Sequence, residues 1–239
     1  METIEITKEE FYGLIPLKRN IVYTDKKLVY KKSMFSLKNI DDLELLIEIN
    51  NIDIPSLVFP INKLNIEGEP GYITKYYQNY YPREIAFKKD KYHFSEKYKI
   101  IKLLIDAVKD MHQAHIVHGD LHSGNIIFNK NDLKIIDFDN MRIEDFSKNY
   151  NVYRYKKLRD IKCLVINILS ILSESNELNI DFKIIPFIEL LNISDEFKKY
   201  LNLCIFEKED ILDFYPDTFL NEINGEVEKK AKKLAKGLK

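Results

Sequence analysis

Two short polar segments near the middle of the chain hold the residue types that chemistry requires. Residues 118–125 read HGDLHSGN, and residues 135–139 read IIDFD. Transfer of a phosphoryl group needs one carboxylate that orients or deprotonates the attacking hydroxyl, and oxygen ligands that hold Mg²⁺ against the phosphates. The pattern H-x-D-x-x-x-x-N, followed by an apolar strand and then D-F, supplies both. A polar turn, in which Asp and Asn serve only the turn geometry, is the alternative.

This arrangement resembles the catalytic loop and metal-binding motif of the protein-kinase-like superfamily. The resemblance implies that Asp120 is the catalytic base and that Asn125 and Asp137 are ligands of Mg²⁺, with ATP as the phosphate donor. His118 would brace the loop. Asp160 would accept hydrogen bonds from the backbone of the loop, unless it is simply a helix N-cap.

The N-terminal third resembles the nucleotide-binding part of the same superfamily. Residues 28–31 read LVYK and stand where such kinases have V-A-I-K, which implies that Lys31 holds the α- and β-phosphates. Strand alternation places Val29 on the same face as Lys31, the side expected to line an adenine pocket. A solvated lysine at a strand end is the alternative for Lys31. Its expected carboxylate partner is Glu44 on a following helix, with Glu48 as the rival.

Residues 72–81 are rich in tyrosine and include a segment that resembles the hinge of kinases. The resemblance implies that adenine is bound near Thr74, Lys75 and Tyr77. Such tyrosines could instead pack an interface or stack on nucleic-acid bases. The chain has 37 Lys and Arg residues and 38 Asp and Glu residues, which gives a net charge of −1. Because there is no surplus of positive charge, nucleic acid is not an expected partner.

Several departures from the protein-kinase pattern bear on the acceptor. Gly119 replaces the arginine of H-R-D, His122 stands where many protein kinases have a lysine, and Asp139 replaces the glycine of D-F-G. The chain has no proline between Pro82 and Pro186, so the A-P-E motif is absent. The segment between Asp137 and Asp160 is short, and it leaves little chain for docking a peptide.

The sequence is therefore similar to aminoglycoside, choline and lipopolysaccharide-core sugar kinases. We expect transfer of the γ-phosphate of ATP to a hydroxyl group of a small molecule or sugar. An atypical Ser/Thr protein kinase is the second expectation, and a nucleotide-binding pseudokinase scaffold is the third.

No glycine-rich phosphate loop can be drawn through the seven glycines, and Gly119 and Gly124 lack the following Lys-Ser/Thr of a P-loop. Only Gly13 lies near the first predicted hairpin. Lys18 and Arg19 could contact phosphates there, or they are merely solvated.

The spacing of apolar residues predicts the elements that must position these groups. Their order gives a small sheet with one helix, followed by a mainly helical lobe. The resemblance to the protein-kinase-like superfamily implies that this α+β arrangement is a bilobal protein-kinase-like fold, in which residues 1–77 form a small antiparallel sheet with one helix and residues 78–239 form a mainly helical lobe. Predicted strands span 21–24, 28–31, 57–64, 72–74, 125–128 and 133–136, and predicted helices span 41–50, 95–114, 161–172 and 195–206.

The composition and the two terminal segments give further expectations about the class of protein and its location. With 45% hydrophobic and 31% charged residues, and an N-terminus that has neither a basic start nor an apolar core, a globular cytoplasmic protein is expected. Residues 226–239 predict a basic amphipathic helix that is solvated, with contact to an acidic membrane surface as the lesser alternative. Four histidines between His112 and His122 raise a zinc site as a minor alternative.

Overall fold

The computed structural model describes residues 3–18, 21–32, 54–143, 150–175, 178 and 181–237. The chain divides into two compact units. The β unit comprises Met1–Asn79 together with Ile136–Asp139, and the helical unit comprises Tyr80–Ile135 and Asn140–Lys239. A β-rich part followed by a largely helical part confirms the predicted α+β class.

The β unit contains a six-stranded sheet, whose strands are β1 (Thr3–Ile6), β2 (Ile15–Lys18), β3 (Val22–Thr24), β4 (Leu28–Lys32), β5 (Asn62–Ile66) and β6 (Glu69–Lys75). Their order across the sheet is β1-β5-β6-β4-β3-β2. The predicted hairpin is confirmed, since β3 and β4 pair antiparallel with Tyr23 opposite Tyr30. Its turn is held by Asp25, whose Oδ1 accepts from the backbone N–H groups of Lys27 and Leu28 at 2.7 Å each.

The expectation of a purely antiparallel sheet is wrong, because β1 pairs with β5 in parallel from Thr3 opposite Lys63 onward. The predicted strand 57–64 also begins later, at Asn62, since Leu57 to Phe59 form a buried loop. The predicted helix 41–50 lies outside the described residues.

A helix that the sequence reading missed, α1 (Lys8–Gly13), starts with a capping box. The Thr7 hydroxyl accepts from the Glu10 N–H at 3.1 Å, and the Glu10 carboxylate accepts from the Thr7 N–H at 2.7 Å. This helix places Phe11 in the core of the β unit, together with Tyr23, Leu64, Ile66 and Ile73.

The helical unit is built on the predicted long helix, which spans Phe94–Gln113 and buries its apolar face completely. The predicted strands at 125–128 and 133–136 are confirmed as a hairpin, joined on its other edge by β7. The helices are α2 (Arg83–Lys89), α3 (Phe94–Gln113), α4 (Tyr150–Ser173), α5 (Asp181–Glu189), α6 (Asp195–Ile205) and α7 (Gly225–Lys236). The strands are β7 (Tyr81–Pro82), β8 (Ile116–Val117), β9 (Ile126–Phe128), β10 (Leu133–Ile135) and β11 (Arg142–Ile143).

Two helix predictions need correction. Helix α4 begins at Tyr150 rather than at 161, because its first turns are polar and only its second half is strongly apolar. The C-terminal helix is not simply solvated, since Val227, Ala231 and Ala235 are buried. Its Glu228 carboxylate also pairs with Lys97, a fully buried lysine of α3, at 2.6 Å. Among the helices of the described ranges, none combines the length and the apolar character that crossing a bilayer requires.

Candidate functional site

Three polar side chains meet around Lys31 in the β unit. Lys31 lies on β4, between β6 and β3, and its Nζ donates to Asp137 Oδ1 and, at 2.6 Å, to Asp139 Oδ2. Tyr72 on β6 is the cross-strand neighbour of Lys31, and its hydroxyl donates to Asp139 Oδ1. The register between β4 and β6 therefore brings Lys31, Tyr72, Asp137 and Asp139 together, and we call these four residues the lysine cluster.

The charges of the lysine cluster do not balance, because one ammonium faces two carboxylates. Burial raises the pKa of the Asp139 carboxyl, while the charge of Lys31 opposes that effect. Burial, and then the charge of Asp139, raise the pKa of Tyr72 well above its usual range, so the phenol remains a donor. The charges would balance if a further cation bound to the cluster. They would also balance if one of the two carboxylates left Lys31 and bound another cation.

Asp137 itself has an unusual backbone. Its φ of 68° lies in the left-handed region, which Asp and Asn tolerate better than most residues. The next residue, Phe138, is buried and packs on Phe59 with ring centroids 4.8 Å apart. This packing fixes the backbone of the segment from which the Asp137 carboxylate projects toward Lys31.

The residues assigned to adenine lie at one end of β4 and β6. Val29 is opposite Thr74 in the register, and Leu28 is opposite Lys75. The Tyr76 N–H donates to the Lys27 carbonyl at 3.0 Å, which ties the chain beyond β6 to the β3–β4 turn. Lys75 Nζ lies 5.4 Å from the centroid of the Tyr77 ring. The adenine role of these residues stays a prediction.

In the helical unit, the loop at 118–125 is held by Asp160. This residue is fully buried within α4, so the N-cap alternative is wrong. Its two carboxylate oxygens accept from the backbone N–H groups of His118 at 2.7 Å and Gly119 at 2.9 Å. His112 Nε2 lies 3.4 Å from the same carboxylate, and burial lowers the pKa of His112.

The loop is also closed by its own side chains. The fully buried His118 accepts at Nδ1 from the Asp120 N–H at 3.2 Å, and Asn125 Nδ2 donates to the Asp120 carbonyl at 2.9 Å. The Asp120 side chain nevertheless stays 36% exposed, with Oδ2 3.9 Å from Nε2 of His122. The backbone of Asp120 is thus fixed while its carboxylate remains accessible.

The glycine at position 119 has a steric explanation. Its φ is +73°, and an added Cβ would lie 2.7 Å from Nζ of Lys156 and 2.8 Å from the carbonyl oxygen of Asn140. Lys156 donates to that same carbonyl, and burial lowers the pKa of Lys156. The arginine of H-R-D therefore has no room here, and Lys156 fills the space beside the loop. The sequence reading missed Lys156 because it lies on α4, far from either motif.

The two residues predicted to bind Mg²⁺ lie in different units, Asp137 in the β unit and Asn125 in the helical unit. Proteins bind Mg²⁺ through one or two carboxylates plus water and substrate phosphates. Asp137 offers a carboxylate that is 25% exposed, and Asn125 has committed its NH₂ group to Asp120, which directs its amide oxygen away from that bond. Within the described ranges, the structure holds no group of three or more His, Cys, Asp or Glu side chains able to bind a metal ion by themselves.

Some predicted site residues are not described. Glu44 and Glu48, the expected partners of Lys31, lie outside the described residues, as do Arg19 and the side chain of Lys18. The sequence reading noted Asp139 only as a departure from D-F-G and did not single out Tyr72. The sequence carries no local signal for these contacts, because Tyr72 and Lys31 are opposite each other only through the pairing of two strands about forty residues apart.

A mixed sheet with a paired lysine, and a loop of the form H-x-D-x-x-x-x-N held by a buried aspartate, are similar to what the phosphotransferases of the protein-kinase-like superfamily contain. The comparisons with known proteins agree. Residues 72–148 match the model of the phosphotransferase enzyme family, which confirms the superfamily resemblance predicted from the motifs.

A second comparison finds a viral protein. Over 52 residues the chain is 46% identical to a protein of Acanthamoeba polyphaga mimivirus named "Putative serine/threonine-protein kinase L268". The match covers 21% of this chain and 10% of the viral protein, so the chain spans about a tenth of the relative's length.

Proposed function

We propose that this protein is an ATP- and Mg²⁺-dependent kinase that transfers the γ-phosphate to a hydroxyl group of a small molecule or sugar. The observation that carries the proposal is the state of Asp120, whose backbone is fixed by His118 and Asn125 while its carboxylate stays accessible. A general base needs both properties, since it must be held in place and still reach the proton it accepts.

In the proposed reaction, Asp120 orients the acceptor hydroxyl and accepts its proton. The hydroxyl oxygen forms a bond to the γ-phosphorus, and the bond from that phosphorus to the bridging oxygen breaks, releasing ADP. Mg²⁺, when bound, would be held by Asn125 and Asp137 and would neutralise phosphate charge. Lys31 would hold the α- and β-phosphates.

The proposed division of labour follows the two predicted lobes. Residues 1–77 would bind the nucleotide, with Val29, Thr74, Lys75 and Tyr77 around the adenine, and residues 78–239 would supply the base and acceptor pocket. Support comes from the register that pairs Val29 with Thr74 beside the β3–β4 turn.

A small acceptor is favoured by what surrounds the catalytic loop. Gly119 leaves no arginine to read a phosphorylated activation segment, and the space an arginine would need is filled by Lys156 and the Asn140 carbonyl. Only a short segment separates Asp137 from Asp160, which limits the surface for a peptide.

A Ser/Thr protein kinase is the second candidate, and the viral match favours it, because the relative is named as such a kinase. A scaffold that binds nucleotide without turnover is a third candidate. The presence of Lys31, Asp120, Asn125 and Asp137 in one chain argues against it.

The decisive experiment is to incubate the protein with γ-labelled ATP and Mg²⁺, alone and with a lysate separated into metabolite and protein fractions. We expect label in the metabolite fraction with wild type and with Asp106→Ala, an exposed aspartate of α3, and none with Asp120→Ala. Label in the protein fraction would promote the second candidate. Equal inactivity of all three proteins with retained nucleotide binding would contradict kinase activity.

A further inference from the structure

A kinase lysine works only when a carboxylate keeps its ammonium oriented toward the phosphates. From the sequence, Glu44 or Glu48 was the expected carboxylate. In the described part of the chain, a different residue has that contact: Asp139 Oδ2 lies 2.6 Å from Lys31 Nζ, and the two side chains are only 14% and 12% exposed.

We propose that Asp139 is a positioning residue that holds Lys31 for the phosphates of the nucleotide; this inference rests on the proposed function. Asp139 is anchored at both oxygens, because Oδ2 accepts from Lys31 and Oδ1 accepts from the Tyr72 hydroxyl. Tyr72 is buried on β6, next to Lys31 across the sheet. The carboxylate is therefore fixed to the same pair of strands as the lysine that it orients.

The presence of two carboxylates on Lys31 supports this role. Asp137 also pairs with Lys31, but the proposed function requires the Asp137 carboxylate for Mg²⁺. A lysine whose only partner was Asp137 would lose it when the metal binds. Asp139, tied to Tyr72, remains on Lys31 in both states, which gives a physical reason for an aspartate where D-F-G kinases have glycine.

The first test uses the protein without nucleotide or metal. We would treat it with a limiting amount of an amine-acylating reagent and measure modification of each lysine by peptide mass spectrometry. Asp139→Asn should raise the labelling rate of Lys31 several-fold, because its Nζ loses a charged partner, and Tyr72→Phe should raise it less.

The neighbouring pair provides a matched control. Lys32 faces the other side of β4 and pairs with Glu69. Glu69→Gln should raise the labelling of Lys32 and leave Lys31 unchanged. Unchanged labelling of Lys31 in Asp139→Asn, beside a clear response of Lys32 in the control variant, would overturn the inference even if the protein proved to be an active kinase.

The second test is a double-mutant cycle in the Mg²⁺-dependent reaction. Asp139→Asn should lower kcat by about ten-fold, typical of removing a supporting partner, with an unchanged Mg²⁺ concentration for half-maximal rate. In a Lys31→Met background the same change should have no further effect. A raised Mg²⁺ requirement that persists in the Lys31→Met background would overturn the inference, because Asp139 would then act as a metal ligand.

The two tests separate this inference from the function it rests on. If wild type showed no phosphate transfer to any fraction, the proposed function would fail, while the labelling experiment would still measure whether Asp139 restrains Lys31.

Discussion

The polar groups of the β unit and of the helical unit are paired in different ways. In the lysine cluster, charged side chains pair with one another and stay partly exposed. At the loop formed by residues 118–125, the fully buried Asp160 accepts from two backbone N–H groups. The ion pairs of the lysine cluster can exchange a partner for a ligand, whereas the hydrogen bonds to the buried Asp160 stabilise the fold. Substitutions in the lysine cluster should therefore lower activity with little loss of stability, whereas substitution of the buried Asp160 should lower stability.

The largest effect should come from the accessible carboxylate of Asp120, the proposed catalytic base. Asp120→Ala should lower kcat by about 10³-fold, within the range for loss of a general base, while the thermal midpoint stays within a degree or two of wild type. Steady-state kinetics and thermal unfolding measure both. A ten-fold or smaller loss of kcat would show that Asp120 is not the base.

The same substitution in each unit sharpens the comparison. Asp160→Asn replaces a buried acceptor of two backbone N–H groups and should lower the free energy of unfolding by about 3 kcal/mol, the cost of leaving buried polar groups poorly paired. Asp137→Asn should change it by less than about 1 kcal/mol, since Asn also tolerates the left-handed backbone and Lys31 keeps Asp139 as a partner, yet abolish Mg²⁺-dependent turnover. Urea unfolding and turnover assays distinguish the two, and equal destabilisation by both would break the comparison.

A smaller loss is expected at the left-handed glycine of the loop. Gly119→Ala should cost about 1–2 kcal/mol, because an L residue at positive φ is strained and its Cβ would crowd Lys156 and Asn140. Urea unfolding measures the loss, and Gly13→Ala, where an added Cβ meets nothing within 4 Å, is the control. Equal stability of Gly119→Ala and wild type would contradict the assigned conformation.

The smallest effect concerns an ion pair remote from both motifs. Burial alone would raise the pKa of Glu228, but hydrogen bonds from Lys97 and Lys232 outweigh it and hold that pKa below the usual 4.5. The pair therefore contributes stability above pH 4.5 and loses it as the pH falls through the lower folded-state pKa. Glu228→Gln should cost about 1 kcal/mol at pH 7, and the gap in thermal midpoint from wild type should shrink toward pH 3. A gap that is independent of pH would show that the charge of Glu228 is irrelevant.

The sequence predicted those parts of the fold whose signals are local. The α3 helix and the hairpin of β3 and β4 follow from apolar periodicity and from the Asp25 turn. The parallel pairing of β1 with β5 was missed, because it joins segments about sixty residues apart and no local pattern encodes it. Solvation of the last helix was predicted wrongly, since a basic helix can bury small residues and satisfy one glutamate against Lys97.

For the candidate site, motif spacing identified the residues but not their partners. Asp120, Asn125 and Asp137 are marked by type and separation along the chain. The contacts of Lys31 with Asp139 and of Gly119 with Lys156 depend on register and on backbone angles that no motif records. Positions 119 and 139, where the chain departs from the protein-kinase pattern, are the positions at which these contacts occur.

Residues 136–139 belong to the β unit although more than fifty residues of the helical unit precede them along the chain. Dividing the gene after residue 79 to express the halves separately would remove Asp137 and Asp139 from Lys31, and would remove the carboxylate that accepts from the Tyr72 hydroxyl. An N-terminal fragment that keeps these contacts would need residues 136–139, of sequence IDFD, attached through an added linker.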